Sequence, residues 1–539
     1  MAVILFLIYN SSALIIIFNT GIIMTTNWTD GYQTEVNYTY GYYRDLSPNY
    51  QKFCLLLNGV DCPTSTATQA HCELGFGQGV SLNIHAAASF GHFFGTDFNP
   101  AHAGHANQIA EYSQAPHHFY DDSFEELLNK DLPQFDSISL HGIWSWISHE
   151  NQGIILKFIR KFLKPNGIVY ISYNCVTGWA ANMPIRELFH SHFKFNSTST
   201  NPIQKVKDSL AFSEALLEQE PNFAKRNPNA LNKVKELQKQ NPNYLIHEYL
   251  NQDWQCFSFQ QVVRIMEEAK LSYAGSTDLN THLDNINFSA EHQKFLNQID
   301  HPVFKEQCRD YFANTQFRKD LFIRGKNNLT ALQTQERLRN TAFVLLTSPD
   351  ALPKTINGYL GEFNMIQDIY QPLSEHFKKL DYPAILLSDL EKALPQHNYA
   401  QVLNAIVILC HLGHMQPCQS EPSAELIQYT QQINKHILHQ ASFHANYQVL
   451  ASPVTGIGIP TDHFTQLFYR AHFIDGLKSA KQLAHYVQDV LTKLGWLVLD
   501  EEGQTVSDLT QSIKVIQKKA ELFINSDKLK IARQLQLFA

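Results

Sequence analysis

Three glycines at alternate positions follow an acidic residue in the segment Glu73-Leu74-Gly75-Phe76-Gly77-Gln78-Gly79. The apolar residues before this segment predict a strand, and the sequence VSLNIHAAAS after it predicts a helix. Glycines at such a junction permit a tight strand-to-helix turn and let the backbone approach a ligand closely. Because a glycine-rich loop alone is weak evidence for a ligand, residues farther along the chain have to support it.

Acidic residues follow the next two predicted strands. Asp97 ends a strand in FFGTDFNP, 18 residues beyond Gly79. A carboxylate at that place accepts hydrogen bonds from the ribose hydroxyls of an adenosine ligand. Asp121 and Asp122 open the segment DDSFEEL after a third apolar stretch, where a carboxylate can receive the exocyclic amine of adenine. Asp97, Asp121 and Asp122, together with the glycine loop, predict a site for an adenosine-containing cofactor.

The spacing of the glycines narrows the choice of cofactor. A dinucleotide site has the pattern G-x-G-x-x-G, with the pyrophosphate at the helix N-terminus. This loop reads G-x-G-x-G, and Glu73 stands two residues before its first glycine. A carboxylate so close repels a pyrophosphate but can engage the cationic amino-acid end of S-adenosylmethionine.

The segment resembles class I S-adenosylmethionine-dependent methyltransferases. Glu73–Gly79 looks like their first motif, and the turn Leu163-Lys164-Pro165-Asn166-Gly167-Ile168 is similar to their entry into the fifth strand. The resemblance implies an α/β, Rossmann-like core, methyl transfer as the activity and S-adenosylmethionine as the cofactor. The implied cofactor-binding residues are Glu73, Gly75, Gly77, Gly79, Asp97, Asp121 and Asp122.

Three further segments narrow the resemblance to methyltransferases with a regulatory domain after the core. They are LHGIWSWIS (140–148), ISYNCVTGW (171–179) and HEYLNQDW (247–254). This group includes protein-lysine methyltransferases that act on bacterial outer-membrane proteins, so a protein lysine is one implied acceptor. The chain has Cys175-Val176-Thr177-Gly178-Trp179 where the group often has a proline before the glycine. Because this difference changes a loop beside the substrate, the identity of the acceptor does not carry over.

Candidate catalytic and acceptor-binding residues follow the fourth and fifth predicted strands. We expect His141 or Tyr173 to assist proton removal, and Asn174 to orient the nucleophile. The alternative for His141 is a structural role as a hydrogen-bonding residue. Trp144, Trp146 and Trp179 are candidates for acceptor binding, and loop packing is their alternative. Among four N-terminal tyrosines we expect most to pack the segment onto the core, with Tyr40 the candidate that faces the acceptor.

The order of predicted elements divides the chain into several units. Apolar strands alternate with helical patterns over residues 69–185, which is typical of a parallel α/β sheet. The later units read as mainly helical, and one holds three short helices like a winged-helix module. The predicted units are an apolar leader (1–23), a tyrosine-rich cap (24–68), the methyltransferase core (69–185), a helical regulatory-type domain (186–345), the winged-helix-like module (346–420) and a helical C-terminal region (421–539).

Composition argues against nucleic acid and metal as partners. The formal net charge is −8, from 42 basic and 50 acidic residues, which is not the footprint of a general nucleic-acid binder. The third helix of the winged-helix-like module, YAQVLNAIVILCHLGH, has no lysine or arginine to read DNA. Eight scattered cysteines without a C-x-x-C pair predict free thiols in a reducing compartment and no zinc site.

The N-terminal residues 2–23 are strongly apolar and long enough to span a membrane. They contain asparagines and serines, and no basic residue precedes Arg44. Signal peptides and membrane anchors both need such basic residues. We therefore expect translation to start at Met24 and the protein to be cytoplasmic, and an anchor formed by residues 3–23 is the alternative.

Two other functions remain open at this stage. One is a methyltransferase for a small molecule or a nucleic acid. The D/N-P-P-[YFW] motif of amino-methylating DNA enzymes is absent, since Leu140-His141-Gly142-Ile143 stands at its place. The other is an adaptor that binds S-adenosylmethionine without catalysis and works through its C-terminal domains.

Overall fold

A computed structural model describes residues 39–63 and 65–538. The predicted leader, and residues 24–38 of the predicted cap, lie outside the described residues. The catalytic part is built around one seven-stranded sheet, whose strand order is β3-β2-β1-β4-β5-β7-β6. Its strands are β1 (Ala70–Leu74), β2 (His92–Thr96), β3 (His117–Tyr120), β4 (Phe135–Leu140), β5 (Leu163–Asn174), β6 (Leu271–Ser276) and β7 (Phe317–Arg324).

The first five strands are parallel, so their carboxyl ends share one edge of the sheet. β1 lies between β2 and β4, and Glu73 is in register with Gly95 on one side and Ser139 on the other. All five residues of β1 are buried, as expected for a strand with both faces covered. This arrangement brings the loops after β1, β2, β3 and β4 together.

Side chains of β5 alternate between two hydrophobic cores. Ile168 and Tyr170 point into one core, and Val169 and Ile171 into the other, as the two-residue period of a strand requires. The second core holds residues of α5 and α12, while the first holds residues of α1, α2 and α3 and continues into the C-terminal part of the chain. These helices are α1 (Pro48–Leu57), α2 (Val80–Ala88), α3 (Pro100–Ser113), α5 (His149–Phe162) and α12 (Phe259–Glu268), with α4 (Phe124–Leu128) before β4.

The predicted boundary at residues 185 and 186 needs correction, because the sheet is completed by strands far downstream. β7 pairs antiparallel with β5, from Ile168 opposite Ile323 to Asn174 opposite Phe317, and β6 pairs with β7 at the edge. Strands β6 and β7 therefore belong to the same sheet as the first five strands. Helices α13 (Asp284–Asn287), α14 (Ala290–Leu296) and α15 (Pro302–Ala313) connect these two strands, and α16 (Ala331–Arg339) follows.

Helices inserted after β5 form a unit with a small core of its own. Trp179, Phe189 and Val234 are among its fully buried residues. We call this unit the helical insertion, residues 176–249. Its helices are α6 (Val176–Trp179), α7 (Met183–Phe195), α8 (Pro202–Glu218), α9 (Asn222–Arg226), α10 (Ala230–Leu237) and α11 (Pro242–Tyr249).

The winged-helix-like module contains the three predicted helices and a three-stranded sheet of order β11-β8-β12. Its central strand, β8 (Ala342–Leu345), precedes the predicted start at residue 346, so that boundary moves toward the N-terminus. Val402 and Ile406 of the third helix are buried, so that helix packs inside the module. The elements are β9 (Thr355–Gly358), β10 (Gly361–Asn364), α17 (Gln367–Lys379), β11 (Ile385–Leu386), α18 (Leu387–Ala393), α19 (Tyr399–His411) and β12 (Met415–Pro417).

The C-terminal region packs directly on the catalytic part. Thr430 Oγ1 donates to the carbonyl of Ala87 at 2.7 Å, and Gln419 Nε2, at the end of the winged-helix-like module, donates to that of Ala88 at 2.7 Å, so both hold the end of α2. The region is mainly helical as predicted, with two added hairpins. Its elements are α20 (Ala424–Gln440), β13 (Val449–Ser452), β14 (Ile457–Pro460), α21 (His463–Tyr469), a π-helix (Arg470–Ile474), α22 (Ala480–Leu494), β15 (Val498–Leu499), β16 (Thr505–Val506), α23 (Leu509–Asn525) and α24 (Lys528–Gln534).

The C-terminal region fixes the described part of the N-terminal segment. Gly458 of the C-terminal region donates its N–H to the Tyr42 hydroxyl at 2.6 Å, and Ser47 donates to the carbonyl of Gly456 at 3.0 Å. All eight cysteines are free thiols. Across residues 39–63 and 65–538, every helix is too short or too polar to cross a bilayer.

Candidate active site

A cavity of about 710 Å³ opens at the carboxyl edge of the sheet. Loops after four parallel strands contribute to its wall, together with the N-terminal segment and the first turns of α5. Ligands of open α/β sheets bind at this edge. The predicted site residues that line the cavity are Glu73, Gly75, Gly77, Gly79, Asp97, Asp121, Asp122, His141 and Trp146.

The glycine loop has a conformation that only glycine adopts easily. Gly75, Gly77 and Gly79 have φ of +74°, +55° and +69°, which is the left-handed region. A Cβ on Gly75 would collide with the side chain of Ile143, and one on Gly79 with Ala106. The loop is therefore bare of side chains at these positions, and its backbone is free to approach a ligand.

Asp97 joins the end of β2 to the glycine loop. Its Oδ2 accepts the N–H of Gly77 at 2.8 Å, and its Oδ1 accepts the N–H of Asn99 at 3.1 Å. His102 Nδ1 also lies 3.0 Å from Oδ1. A carboxylate has about four lone-pair positions, so Oδ2 retains capacity for a hydroxyl donor of a ligand.

Glu73 is a buried acid at the base of the cavity, with 6% of its surface exposed. Burial, together with the nearby charge of Asp97, raises the pKa of Glu73 to about 8. A ligand with a positive group beside this carboxyl would stabilise its charged form. The electrostatics around Glu73 therefore favour a cation.

Asp121 and Asp122 lie at the opposite side of the cavity, after β3. Lys130 approaches Asp122 with an Nζ–Oδ2 distance of 3.1 Å, and the Asp122 carbonyl accepts the Thr96 hydroxyl. These contacts fix the loop between β3 and α4. The Asp121 carboxyl on the cavity wall remains suited to an amine donor.

His141 is held by contacts on two sides of its ring. Its Nδ1 lies 2.8 Å from the Tyr170 hydroxyl, and its ring packs against Tyr43 with centroids 4.1 Å apart. Burial lowers the pKa of His141 to about 4. The imidazole is therefore neutral at physiological pH, and Nε2 is the nitrogen left to face a ligand.

Four of the predicted residues lie outside the cavity wall and pack in cores. Tyr173 is fully buried and donates its hydroxyl to Asp320 Oδ2 at 2.7 Å, so it is a structural residue and its predicted part in proton removal is withdrawn. Trp144 is buried under the β4 loop. Trp179 packs against Trp254 in the core of the helical insertion, and Tyr40 packs edge-on against His105.

Asn174 lies at the carboxyl end of β5 but also outside the cavity wall. Its N–H donates to Ser145 Oγ at 2.9 Å, and its carbonyl accepts the N–H of Phe257 at 2.8 Å. Its buried side-chain nitrogen falls outside normal hydrogen-bond geometry but is close enough to the Glu248 carboxyl to stabilise its charged form. The backbone of Asn174 thus ties the β4 loop to the segment after the helical insertion.

Residues on and behind the cavity wall were not foreseen from the sequence. Tyr43, not Tyr40, reaches the cavity, because the alternate residues Thr39, Gly41 and Tyr43 line it. His105 Nδ1 lies 2.7 Å from the Gln78 carbonyl of the glycine loop, and its Nε2 lies 2.7 Å from the Tyr447 hydroxyl. No sequence signal connects Tyr447 with a loop almost 370 residues before it, so only the fold reveals that the C-terminal region braces the glycine loop.

The residues present fit S-adenosylmethionine. The glycine loop lets a ligand approach the protein backbone closely. The buried acid favours the cationic amino group at the amino-acid end of the molecule, and the carboxylates after β2 and β3 suit its adenosine. Within the described ranges, no group of three or more histidine, cysteine, aspartate or glutamate side chains is arranged to hold a metal ion.

Comparison with known proteins identifies the family. A methyltransferase-domain model matches residues 72–169, and a model of a predicted methyltransferase regulatory domain matches residues 241–324. The chain is 35% identical over 515 residues to an uncharacterized Synechocystis protein, with 94% of this chain and 99% of that protein covered. The chain belongs to the class I S-adenosylmethionine-dependent methyltransferases that carry a methyltransferase regulatory domain.

Two more distant matches cover most of the chain. An uncharacterized Rickettsia prowazekii protein is 24% identical, and 88% of each chain is covered. The solved structure of PKMT2 from Rickettsia typhi in complex with AdoHcy has a TM-score of 0.67 at 18% identity and covers 92% of this chain and 99% of its own. The shared architecture confirms the predicted Rossmann-like fold, and the methyltransferase-domain match confirms the predicted class and its cofactor. The regulatory-domain match spans β6 and β7, which complete the catalytic sheet.

Proposed function

We propose that this S-adenosylmethionine-dependent methyltransferase methylates the side-chain amine of a protein lysine. The observation that carries the proposal is the aromatic wall at the acceptor end of the cavity, where Tyr43 lies against a neutral His141 and Trp146 stands on the same loop. Aromatic faces attract cationic amines. The resemblance to a group that includes protein-lysine methyltransferases, and the fold shared with PKMT2, support it.

The proposed placement of the cofactor follows from the order of the acids along the sheet. Glu73 meets the amino group, Asp97 a ribose hydroxyl and Asp121 the adenine amine, with Asp122 holding the same loop. When bound, S-adenosylmethionine supplies an electrophilic methyl group on a sulfonium. His141, at the carboxyl end of β4, would position the acceptor through Nε2, and Tyr43 and Trp146 would exclude water. Proximity and in-line geometry then provide most of the rate acceleration.

Transfer of a radioactive methyl group from S-adenosylmethionine by the full chain tests the acceptor class. The panel contains poly-L-lysine, lysine-containing peptides, the same peptides with acetylated lysines, free lysine and oligonucleotides. We expect labelling of unmodified lysine polymers and peptides alone, and loss of labelling in Asp97→Ala. Labelling of free lysine alone, of acetylated peptides or of oligonucleotides would overturn the lysine proposal in favour of another acceptor.

A further inference from the structure

Glu248 lies where the helical insertion meets the wall of the cavity. It belongs to α11, and its carbonyl accepts the indole N–H of Trp146, a wall residue, at 3.3 Å. The segment that follows α11 is fixed to the same loop, because Gln255 donates its N–H to the Ser145 carbonyl at 2.8 Å. Glu248 is thus held beside the carboxyl ends of β4 and β5.

The carboxyl of Glu248 is poorly compensated by its surroundings. The Asn174 amide is the described group that stabilises its charged form, and no described lysine or arginine does so. The nearby titratable groups are Tyr244 and Tyr249 on α11 and Cys256 after it, and the charge of Glu248 raises the pKa of each of them. Glu248 is half-buried, and a carboxylate partly removed from water without a cation is costly, so a cationic ligand would relieve part of this cost.

Tyr244 is an aromatic neighbour of this carboxyl on the same helix. It interacts electrostatically with Glu248 and with Tyr43 of the cavity wall, and 47% of its surface is exposed. Glu248 therefore has two aromatic neighbours, Tyr244 and the wall residue Trp146, whose indole N–H bonds its carbonyl.

We propose that Glu248 binds the ammonium group of the acceptor lysine and takes its proton before methyl transfer. This inference rests on the proposed function, because it assigns a residue to recognition of the same acceptor. Asn174 then orients the Glu248 carboxylate instead of the nucleophile. His141 contributes position only.

The proton inventory of the step is balanced. The lysine ammonium gives one proton to the Glu248 carboxylate and becomes a neutral amine. The amine lone pair forms the new N–C bond while the S–C bond of the donor breaks, and its electron pair stays on the neutral thioether product. The methylated ammonium leaves, and Glu248 returns its proton to solvent.

The protonation properties of the two candidate groups favour Glu248 over His141 for this task. Burial raises the pKa of Glu248 to about 8 and lowers that of His141 to about 4. A group whose pKa lies near the working pH is the better proton acceptor. Tyr244 and Cys256 titrate only at about 12, so they do not compete between pH 6 and pH 10.

The test compares Glu248→Gln and Glu248→Asp with Glu236→Gln in the full chain, using poly-L-lysine as the acceptor. Glu236 is an exposed acid on α10 of the same helical insertion. Saturating S-adenosylmethionine keeps Glu73 engaged, so its ionisation does not enter the profile. We expect wild-type kcat/KM for poly-L-lysine to rise with pH through an inflection near 8, because the carboxylate form is required.

For Glu248→Gln we expect loss of that inflection and a fall in kcat/KM of about 10²-fold or more, the lower range for a positioned proton acceptor. Glu248→Asp should restore part of the activity together with the inflection. Binding of S-adenosylmethionine should stay unchanged in all three variants. An unchanged kcat/KM and pH profile in Glu248→Gln would overturn the inference, whereas absence of lysine methylation by the wild type would overturn the proposed function instead.

Discussion

The backbone N–H of Gly77 donates a hydrogen bond of 2.8 Å to Oδ2 of Asp97. The carboxylate after β2 therefore fixes the glycine loop, and it is also the acceptor that we propose for a ribose hydroxyl. Because Asn99 and His102 engage its other oxygen, Asp97 holds a set position even without a ligand. The cofactor site is preorganised by its own residues, which reduces the entropy lost on binding.

Replacement of Asp97 by alanine removes both the brace of the loop and the ribose acceptor. We expect the binding free energy of S-adenosylmethionine to weaken by about 1.5–3 kcal/mol, the range for a hydrogen bond to a charged group. Isothermal titration calorimetry of the full chain measures the effect, with the exposed Asp131→Ala as the matched control. Equal affinities for the two variants would refute the assigned role of Asp97.

The raised pKa of Glu73 predicts that cofactor binding depends on pH. A cationic amino group beside Glu73 favours the carboxylate, so binding below pH 8 must release a proton. Affinity should therefore rise with pH up to about 8 and level off above it. In Glu73→Gln we expect weaker, pH-independent binding. Calorimetry in buffers of different ionisation enthalpy counts the protons released, and a count of zero at pH 6.5 would contradict the pairing.

The same shift affects the stability of the ligand-free protein. The pKa of Glu73 is higher in the folded chain than its ordinary value of 4.5, so the folded state binds more protons between these two pH values. Its contribution to stability thus falls as pH rises from about 4.5 to 8. Glu73→Gln should remove this loss, and its free energy of unfolding at pH 8 should exceed that of the wild type in urea denaturation.

Two glycines only 25 positions apart should respond oppositely to alanine. Gly79 has φ of +69° and no room for a Cβ beside Ala106, whereas Gly104 on α3 has no atom within 4 Å of an added Cβ. We expect Gly79→Ala to lose about 1–3 kcal/mol of stability through overpacking and strain, and to weaken cofactor binding. Gly104→Ala should gain about 0.5–1 kcal/mol because alanine favours helix. Urea denaturation decides between this pattern and a uniform response.

Tyr173→Phe should separate structure from chemistry. The variant loses a buried 2.7 Å hydrogen bond to Asp320, which is also paired with Arg318 at 2.8 Å. We expect about 1–3 kcal/mol less stability and an unchanged kcat on lysine peptides. A large loss of kcat with unaltered stability would show instead that Tyr173 touches the reacting atoms.

The glycine loop and Asp97 could be predicted from sequence because their geometry is local: a strand, a turn and a helix fix each position. β6 and β7 could not. β7 carries Arg318 and Asp320 at buried positions, and these charges hide the strand in any hydrophobic pattern. They are tolerated because Arg318 pairs with Asp320 and, at 2.7 Å, with Asp310, which is visible only in three dimensions.

The acceptor side of the site was harder to predict for a similar reason. His141 and Trp146 follow β4 directly, so their position at the sheet edge was foreseeable. Glu248 reaches the same edge from α11, after a helical insertion whose path no local pattern determines. The sequence predicted that a tyrosine of the tyrosine-rich segment faces the site, but it pointed to Tyr40, whereas Tyr43 faces the cavity.

The closure of the sheet by β7 has a consequence for how the chain folds during synthesis. β5 ends at Asn174, but its partner begins at Phe317, so the intervening residues 175–316 must be made first. Such high contact order slows folding, and an unpaired strand edge invites association with other chains. Because the helical insertion has a core of its own, it can fold before β7 is available to pair with β5. The length of the stretch 175–316 therefore sets how long the edge of β5 stays exposed in a nascent chain.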